Sequence, residues 1–314
     1  MEKNKHDIAV YAAYIDDEEE LLSSTSGGVA TALAINMIQN NGFVAGVSYT
    51  SDFKGAEYIL TNDLEKLKEF KGSKYIEPDF NGIFKKVKEK IQTNKVLFIG
   101  LPCIVSGIIK YCNNSDNLFT CELVCHGPIS KKVQSDYVEM LEKQYRSKII
   151  SFNLRYKEKK WTPPYIRVEF ENGSVYMEEF YKSAYCYAFG ILGKESCYNC
   201  RFKGNNRKGD LTIGDFWGAN KEDSFFNDKG VSCLFVETHK GMNLIKESTN
   251  LKLFETSFEK AIQKNPMVVS SKERHPKRQV FTDLLLQYEL FEAIKMSLTF
   301  KEKLKRFLKK ILKL

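Results

Sequence analysis

Two apolar runs constrain the fold more than any other part of this chain: KVLFIGLPC (95–103) and NLFTCELVCHG (117–127). Both are largely apolar over strand length and read as buried strands. The first runs into a proline turn, and the second stops at Cys125-His126-Gly127. The longest uncharged apolar stretch, residues 96–109, is shorter than a bilayer requires and contains Pro102, which excludes a membrane span there.

Around this pair the texture alternates. IAVYAAYI (8–15) is strand-like, SSTSGGVATALAINMIQNNG (23–42) reads as a loop feeding a helix closed at Asn41-Gly42, and FVAGVSYT (43–50) is a strand. Charged helices are expected over 62–70 and 82–93. Strands separated by helices in this way imply parallel βαβ-like units. From residue 150 onward the pattern becomes β-rich, with KIISFNLRYK, a hairpin turning at Glu171-Asn172-Gly173, DLTIGDF and GVSCLFVET. GMNLIKES then begins a helix, and a long helical stretch runs from Thr282. The expected fold is α+β (mixed α/β): a central β-sheet with flanking helices in one domain over 1–285, then a basic amphipathic helical tail over 286–314.

Compartment and charge narrow the function. MEKNKHDIAV lacks the apolar core of a secretory signal, so a cytoplasmic protein is expected. In a reducing cytosol the eight cysteines are core thiols, ligands or redox groups rather than disulfides. Of the net charge of +8, +6 falls in the last fourteen residues, which leaves the body nearly balanced. With no RNA-binding motif and no zinc-finger spacing, nucleic acid is not an expected partner.

Candidate chemistry sits where strands end. Cys103 follows Gly-Leu-Pro, Cys125 precedes His-Gly, and Cys197 and Cys200 form a CxxC ahead of DLTIGDF. Loops at the carboxyl ends of parallel strands are where α/β folds assemble sites. Four soft ligands from three turns suit an iron–sulfur cluster. Zinc, a thioredoxin-like dithiol and unrelated core thiols are the alternatives, although this CxxC does not open a helix. Cys112, Cys121, Cys186 and Cys233 read as core or surface thiols, with Cys121 a reserve ligand.

Ser26-Gly27-Gly28 precedes a helix, and such a turn lets backbone amides and the helix dipole meet a flavin pyrophosphate or phosphate. An ordinary serine cap with flexible glycines explains the same residues. No GxGxxG fingerprint and no Walker A motif occurs. Lys74 in GSKY is a candidate catalytic and cofactor-binding cation, or a solvated loop lysine. His126 is a candidate catalytic proton donor, or a turn residue. Asp215 and Trp217 in GDFWG suit the wall of a planar cofactor, or an ordinary turn around a buried Trp. No Ser-His-Asp set or HExxH motif can be assembled.

Taken in order, SSTSGGVATALA, FKGSKYIE, VLFIGLPCIVSG, LVCHGPIS and CYNCRFKGNNRKGDLTIGDFWG resemble the coenzyme F420 hydrogenase/dehydrogenase beta-subunit family over residues 8–285. The resemblance implies an oxidoreductase in which FAD passes electrons between a [4Fe–4S] cluster and a deazaflavin or another two-electron partner. It assigns Cys103, Cys125, Cys197 and Cys200 to the cluster, and Ser26, Gly27 and Gly28 to the flavin side. Many relatives begin with a ferredoxin-like module, whereas the first cysteine here is Cys103, so the resemblance implies an electron entry that is missing or lies on a separate redox partner protein such as a ferredoxin. GLPCI also lacks the Thr and Gln of the family's GTPCQ turn. Members without F420 often accompany bacterial surface-polysaccharide genes, so that pathway is the expected setting.

The tail raises a separate question. Phe300, Leu304, Phe307, Leu308, Ile311 and Leu312 recur at helical spacing among Lys and Arg. This is the pattern of a helix lying on an anionic membrane surface, or packing against protein. Peripheral attachment to the inner face of the membrane is the corresponding expectation. A rival reading keeps the fold as a non-redox accessory scaffold of glycan assembly, with its cysteines empty or zinc-bound.

Overall fold

The computed structural model describes residues 9–299. Strand β1 (Ala9–Ile15) leads through α1 (Glu18–Ser23) and α2 (Val29–Gln39) to β2 (Phe43–Tyr49) and β3 (Ala56–Thr61). Helix α3 (Ile83–Lys90) precedes β4 (Val96–Gly100), α4 (Pro102–Tyr111), β5 (Leu118–Leu123) and α5 (Lys131–Tyr145). The chain then forms β6 (Ile149–Tyr156), β7 (Tyr165–Phe170), β8 (Val175–Glu179) and α6 (Ala184–Ile191), and returns as β9 (Leu211–Asp215) and β10 (Ser232–Val236). It continues with α7 (His239–Glu247), β11 (Leu251–Glu255), α8 (Phe258–Ile262), α9 (Arg278–Gln287) and α10 (Leu290–Ser297).

Eight strands make one sheet in the order β11-β1-β10-β9-β5-β4-β2-β3, and β6-β7-β8 make a second. At the centre β9, β5, β4 and β2 run parallel, flanked on both sides by antiparallel strands. This is the expected α+β (mixed α/β) arrangement of central sheet and flanking helices. β4 and β5 lie at its middle because water reaches neither face: Val96, Leu97, Phe98, Thr120 and Cys121 are all buried. Burying one large apolar side chain there contributes roughly 1.5–3 kcal/mol. β7 instead alternates buried and half-buried residues, as befits a strand with one packed face.

Three local expectations change. The proline turn after β4 is the first turn of α4, with Pro102 where its missing N–H is not needed. The helix expected over 62–70 is a short 3-10 turn at Lys66–Phe70, whose one buried residue, Leu67, is too little apolar surface to sustain more turns. The long C-terminal helical stretch divides into α9 and α10. Leu290, Ala293 and Ile294 of α10 join the core cluster built on α5, α6 and the small sheet, so this part of the expected tail packs on the body. The basic residues 300–314 lie outside the described residues.

Buried polar ties hold the strands that carry the site. The Glu122 carboxylate, at the end of β5, takes the Arg207 guanidinium at 3.2 Å and accepts from the backbone N–H groups of Lys208 and Gly209 at 3.0 and 2.8 Å. Asp210 accepts from both the N–H and the hydroxyl of Thr120, each at 2.8 Å. The RKGD stretch at 207–210 thus clamps β5 to β9. Lys157, just past β6, is also buried and donates to the carbonyls of Leu21 and Ser26 at 2.8 and 2.5 Å. It laces the small sheet to the loop before α2.

Glu122→Gln leaves the Arg207 guanidinium buried without its counter-charge, and a loss of about 3–5 kcal/mol is expected in urea unfolding. A wild-type midpoint would exclude the clamp. Burial pushes the Lys157 amine from 10.5 down to about 7, so the unfolded chain binds more protons between those values and stability rises with pH. Wild type should gain on Lys157→Met by up to about 1.4 kcal/mol per pH unit in that window. A difference independent of pH would contradict this burial.

Candidate cofactor site

The carboxyl ends of the parallel strands open on a cavity of about 280 Å³, walled by Ile99 and Gly100 of β4, Leu123 of β5 and Ile213 to Asp215 of β9. Such a crevice is where parallel sheets assemble ligand sites. The start of α2 forms another side, with Gly28 and Val29 facing it. Gly28 has φ of 74°, and a Cβ there would stand 2.6 Å from Ile15 Cγ2, so only glycine lets α2 begin this close to β1. The Ser26 hydroxyl lines the cavity but donates to the Val231 carbonyl at 2.9 Å. The Gly27 N–H donates to Ser232 Oγ at 2.9 Å, and Gly27 does not line the cavity. Ser26 and Gly27 therefore anchor the turn, while Gly28 brings the helix dipole to the cavity.

Lys74 lines the same cavity, yet its Nζ donates to the carbonyls of Glu69 and Lys71 at 2.7 and 2.8 Å. Burial pushes this amine down to about 7. Its role on this geometry is to close the loop after the 3-10 turn. Asp215 meets Arg155 at 3.4 Å, and Arg155 donates to the Tyr75 hydroxyl at 3.0 Å. The other Asp215 oxygen, Oδ1, is buried with no hydrogen-bond partner among the described residues. Trp217 does not line the cavity. Its indole stacks on Trp161 with centroids 4.9 Å apart, and Arg155 lies over its face at 5.3 Å. Asp215 thus reaches the cavity, whereas Trp217 supports it through Arg155.

A smaller cavity of about 90 Å³ adjoins the first, and Cys103, Cys125, Cys197 and Cys200 all line it. Cys103 comes from the first turn of α4, Cys125 from the loop after β5, and the pair from the loop between α6 and β9. Gly127 has φ of 86°, and a Cβ on it would come within 3.1 Å of Cys197 Cβ and 3.3 Å of its sulfur. Glycine in the CHG turn is what lets the CxxC loop close. The Gly127 N–H donates to Cys125 Sγ at 3.2 Å, and Lys203 Nζ donates to the carbonyls of Cys125 and Met267, each at 2.7 Å. Burial, then the neighbouring thiols of Cys125, Cys200 and Cys197, push the Cys103 thiol up to about 11. Cys121, the reserve ligand, is buried in the apolar core and lines neither cavity.

Pro78, Leu101, Cys125, His126, Gly127 and Pro128 line both cavities and form their common wall. Burial, followed by the Lys203 cation, pushes the His126 imidazole down to about 4, so it is neutral at pH 7.

Four cysteine thiols around one cavity are soft donors of the kind that iron–sulfur clusters and structural zinc both take. The larger cavity fits a planar anionic cofactor: apolar strand ends for the ring, a helix N-terminus for phosphate, and the orphaned Asp215 oxygen for a ring N–H.

Sequence reasoning does not single out Arg155 or Lys157. The signal was their alternation: two cations two residues apart fall on one face of the otherwise apolar run LRYK.

Residues 93–261 match the C-terminal part of the family described as "Coenzyme F420 hydrogenase/dehydrogenase, beta subunit". Residues 10–79 match the N-terminal part of the same family. No curated protein sequence matched the chain. A chain of the F420-reducing [NiFe] hydrogenase complex from Methanosarcina barkeri shares the fold, with a TM-score of 0.56 and 18% identity, over 78% of this chain and 81% of that one. Among the described residues no helix is long and apolar enough to cross a membrane. The family matches support an oxidoreductase-type role. This chain belongs to the coenzyme F420 hydrogenase/dehydrogenase beta-subunit family.

Proposed function

We propose that the chain is an electron-transfer flavoprotein subunit, with a [4Fe–4S] cluster on Cys103, Cys125, Cys197 and Cys200 and FAD in the larger cavity. The observation that carries this reading is the common wall: Cys125 lines the thiol cavity and the strand-end cavity alike. When bound, a flavin exchanges electron pairs with a two-electron substrate and a cluster exchanges single electrons with a protein carrier. The partners proposed on that chemistry are a deazaflavin or similar ring and a ferredoxin-like protein. A surface-polysaccharide pathway is the setting that the family resemblance suggests.

Each residue has a task within this reading. The four thiols supply soft ligands, while the Gly127 N–H and the Lys203 cation offset their negative charge. Gly28 and the start of α2 would hold phosphate, and Asp215 Oδ1 would accept from a ring N–H. His126, neutral at pH 7, can donate or accept a proton within the wall between the cavities. The apolar strand ends keep water from the reacting face.

Anaerobically purified protein should carry iron, acid-labile sulfide and flavin. Cys197→Ser or Cys200→Ser should lose the iron and keep the wild-type circular dichroism spectrum. Zinc without iron or flavin would overturn the redox reading in favour of a non-redox scaffold. We assign the basic residues 300–314 to an anionic membrane surface. Their deletion should abolish co-sedimentation with anionic liposomes, and unchanged binding would remove that assignment.

A further inference from the structure

Several buried side-chain oxygens and nitrogens have no hydrogen-bond partner among the described residues, and two of them belong to residues that line the larger cavity: Asp215 Oδ1 and the Tyr58 hydroxyl. Tyr49 also carries a buried, unpartnered hydroxyl, but it packs against Phe53 and Phe152 and lines neither cavity. Isolation alone therefore does not mark a ligand contact. Isolation on a cavity wall does, because an occupant can supply there the partner that the chain withholds.

The setting of Tyr58 fixes which part of an occupant it meets. The residue is 0% exposed, and its ring stacks on Phe98 of β4 with centroids 5.1 Å apart. Its oxygen stands at the carboxyl end of β4, 2.7 Å from where a Cβ of Gly100 would be, and Gly100 lines the cavity as well. The bare glycine backbone leaves the oxygen that place. The Leu101 backbone addresses the oxygen on its lone-pair side, so the proton is the unmatched part. β4 sends Leu97 into the cluster that holds Val29 and Leu33 of α2, and Phe98 into the cluster that holds Tyr58. Neighbouring residues of a strand point to opposite faces, so Tyr58 lies across the sheet from the helix whose start would hold phosphate. Its hydroxyl meets the ring of an occupant rather than its phosphates.

We propose that Tyr58 is a specificity-determining residue of the larger cavity, whose hydroxyl donates a hydrogen bond to a ring carbonyl of a planar heterocycle, as the counterpart of the Asp215 oxygen that accepts from a ring N–H. The proposal rests on the flavin reading above and adds a requirement to it. The occupant must carry both an acceptor and a donor on its ring, as the pyrimidine part of a flavin or deazaflavin does. A flat apolar ring would leave both wall groups unmatched and bind poorly.

The test titrates riboflavin and FAD, by quenching of flavin fluorescence, into anaerobically purified full-length protein freed of flavin. Riboflavin has no phosphate and reads the ring contacts alone. Tyr58→Phe keeps the ring on Phe98 and should bind both probes about five- to tenfold more weakly than wild type. Tyr49→Phe, which removes a buried hydroxyl away from the cavity, should bind them as wild type does. Without flavin, Tyr58→Phe should melt at or above the wild-type temperature, since its hydroxyl has no partner to lose. Unchanged affinity in Tyr58→Phe, an equal loss in both variants, or a loss with FAD but not riboflavin would overturn the proposal. So would a lower melting temperature of flavin-free Tyr58→Phe, which would give the hydroxyl a structural partner. Wild-type protein that binds neither probe would overturn the proposed function itself, and this inference with it.

Discussion

The missing side chain of Gly127 is the constraint on which the site depends. Three cysteine-bearing segments, separated widely in sequence, meet around one cavity at the end of a parallel sheet, and the CHG turn packs directly against Cys197. A Cβ there would crowd Cys197 at 3.1 Å, and the left-handed backbone would be strained in any other residue. Lys203 completes the junction by donating to the carbonyls of Cys125 and Met267. Closing the CxxC loop onto this turn creates the thiol cavity and the wall it shares with the larger cleft.

The surrounding fold keeps that junction from relaxing. β5 delivers the Cys125 turn and β9 delivers Asp215, so the spacing of these strands sets the spacing of the site. The Glu122–Arg207 pair and the Asp210–Thr120 bonds fix it with buried polar contacts. Such contacts are costly if half-made. On the other side of the cleft, the small sheet contributes Arg155 and Lys157, which tie Asp215 and the turn before α2 to a separate apolar core. Each cavity is therefore walled by elements that bury their own apolar faces elsewhere.

Much of this was legible in the residues. A mostly apolar run marks β4, and β5 reads as a buried strand although it carries Thr120 and Glu122. Cys103 and Cys125 follow strands, Cys197 and Cys200 lie in a loop ahead of one, and the structure brings all four to one cavity. The less legible parts depend on long-range geometry. Trp217 looked like a cofactor wall because it adjoins Asp215, but its partner Trp161 lies 56 positions upstream and no local pattern announces that stack. Lys74 looked free, yet it is bonded to carbonyls only a few residues away, which a sequence cannot display.

On the proposed reading, residues from three distant segments build one polynuclear site against the strand-end cleft. The most direct measurement is low-temperature EPR, with iron and zinc analysis, on anaerobically reduced wild-type protein and on Cys103→Ser, whose cysteine comes from α4 and lies farthest in sequence from the CxxC pair. One [4Fe–4S] signal is expected in wild type, lost or converted in Cys103→Ser. An intact signal in that variant, or zinc and no iron–sulfur signal in wild type, would contradict it.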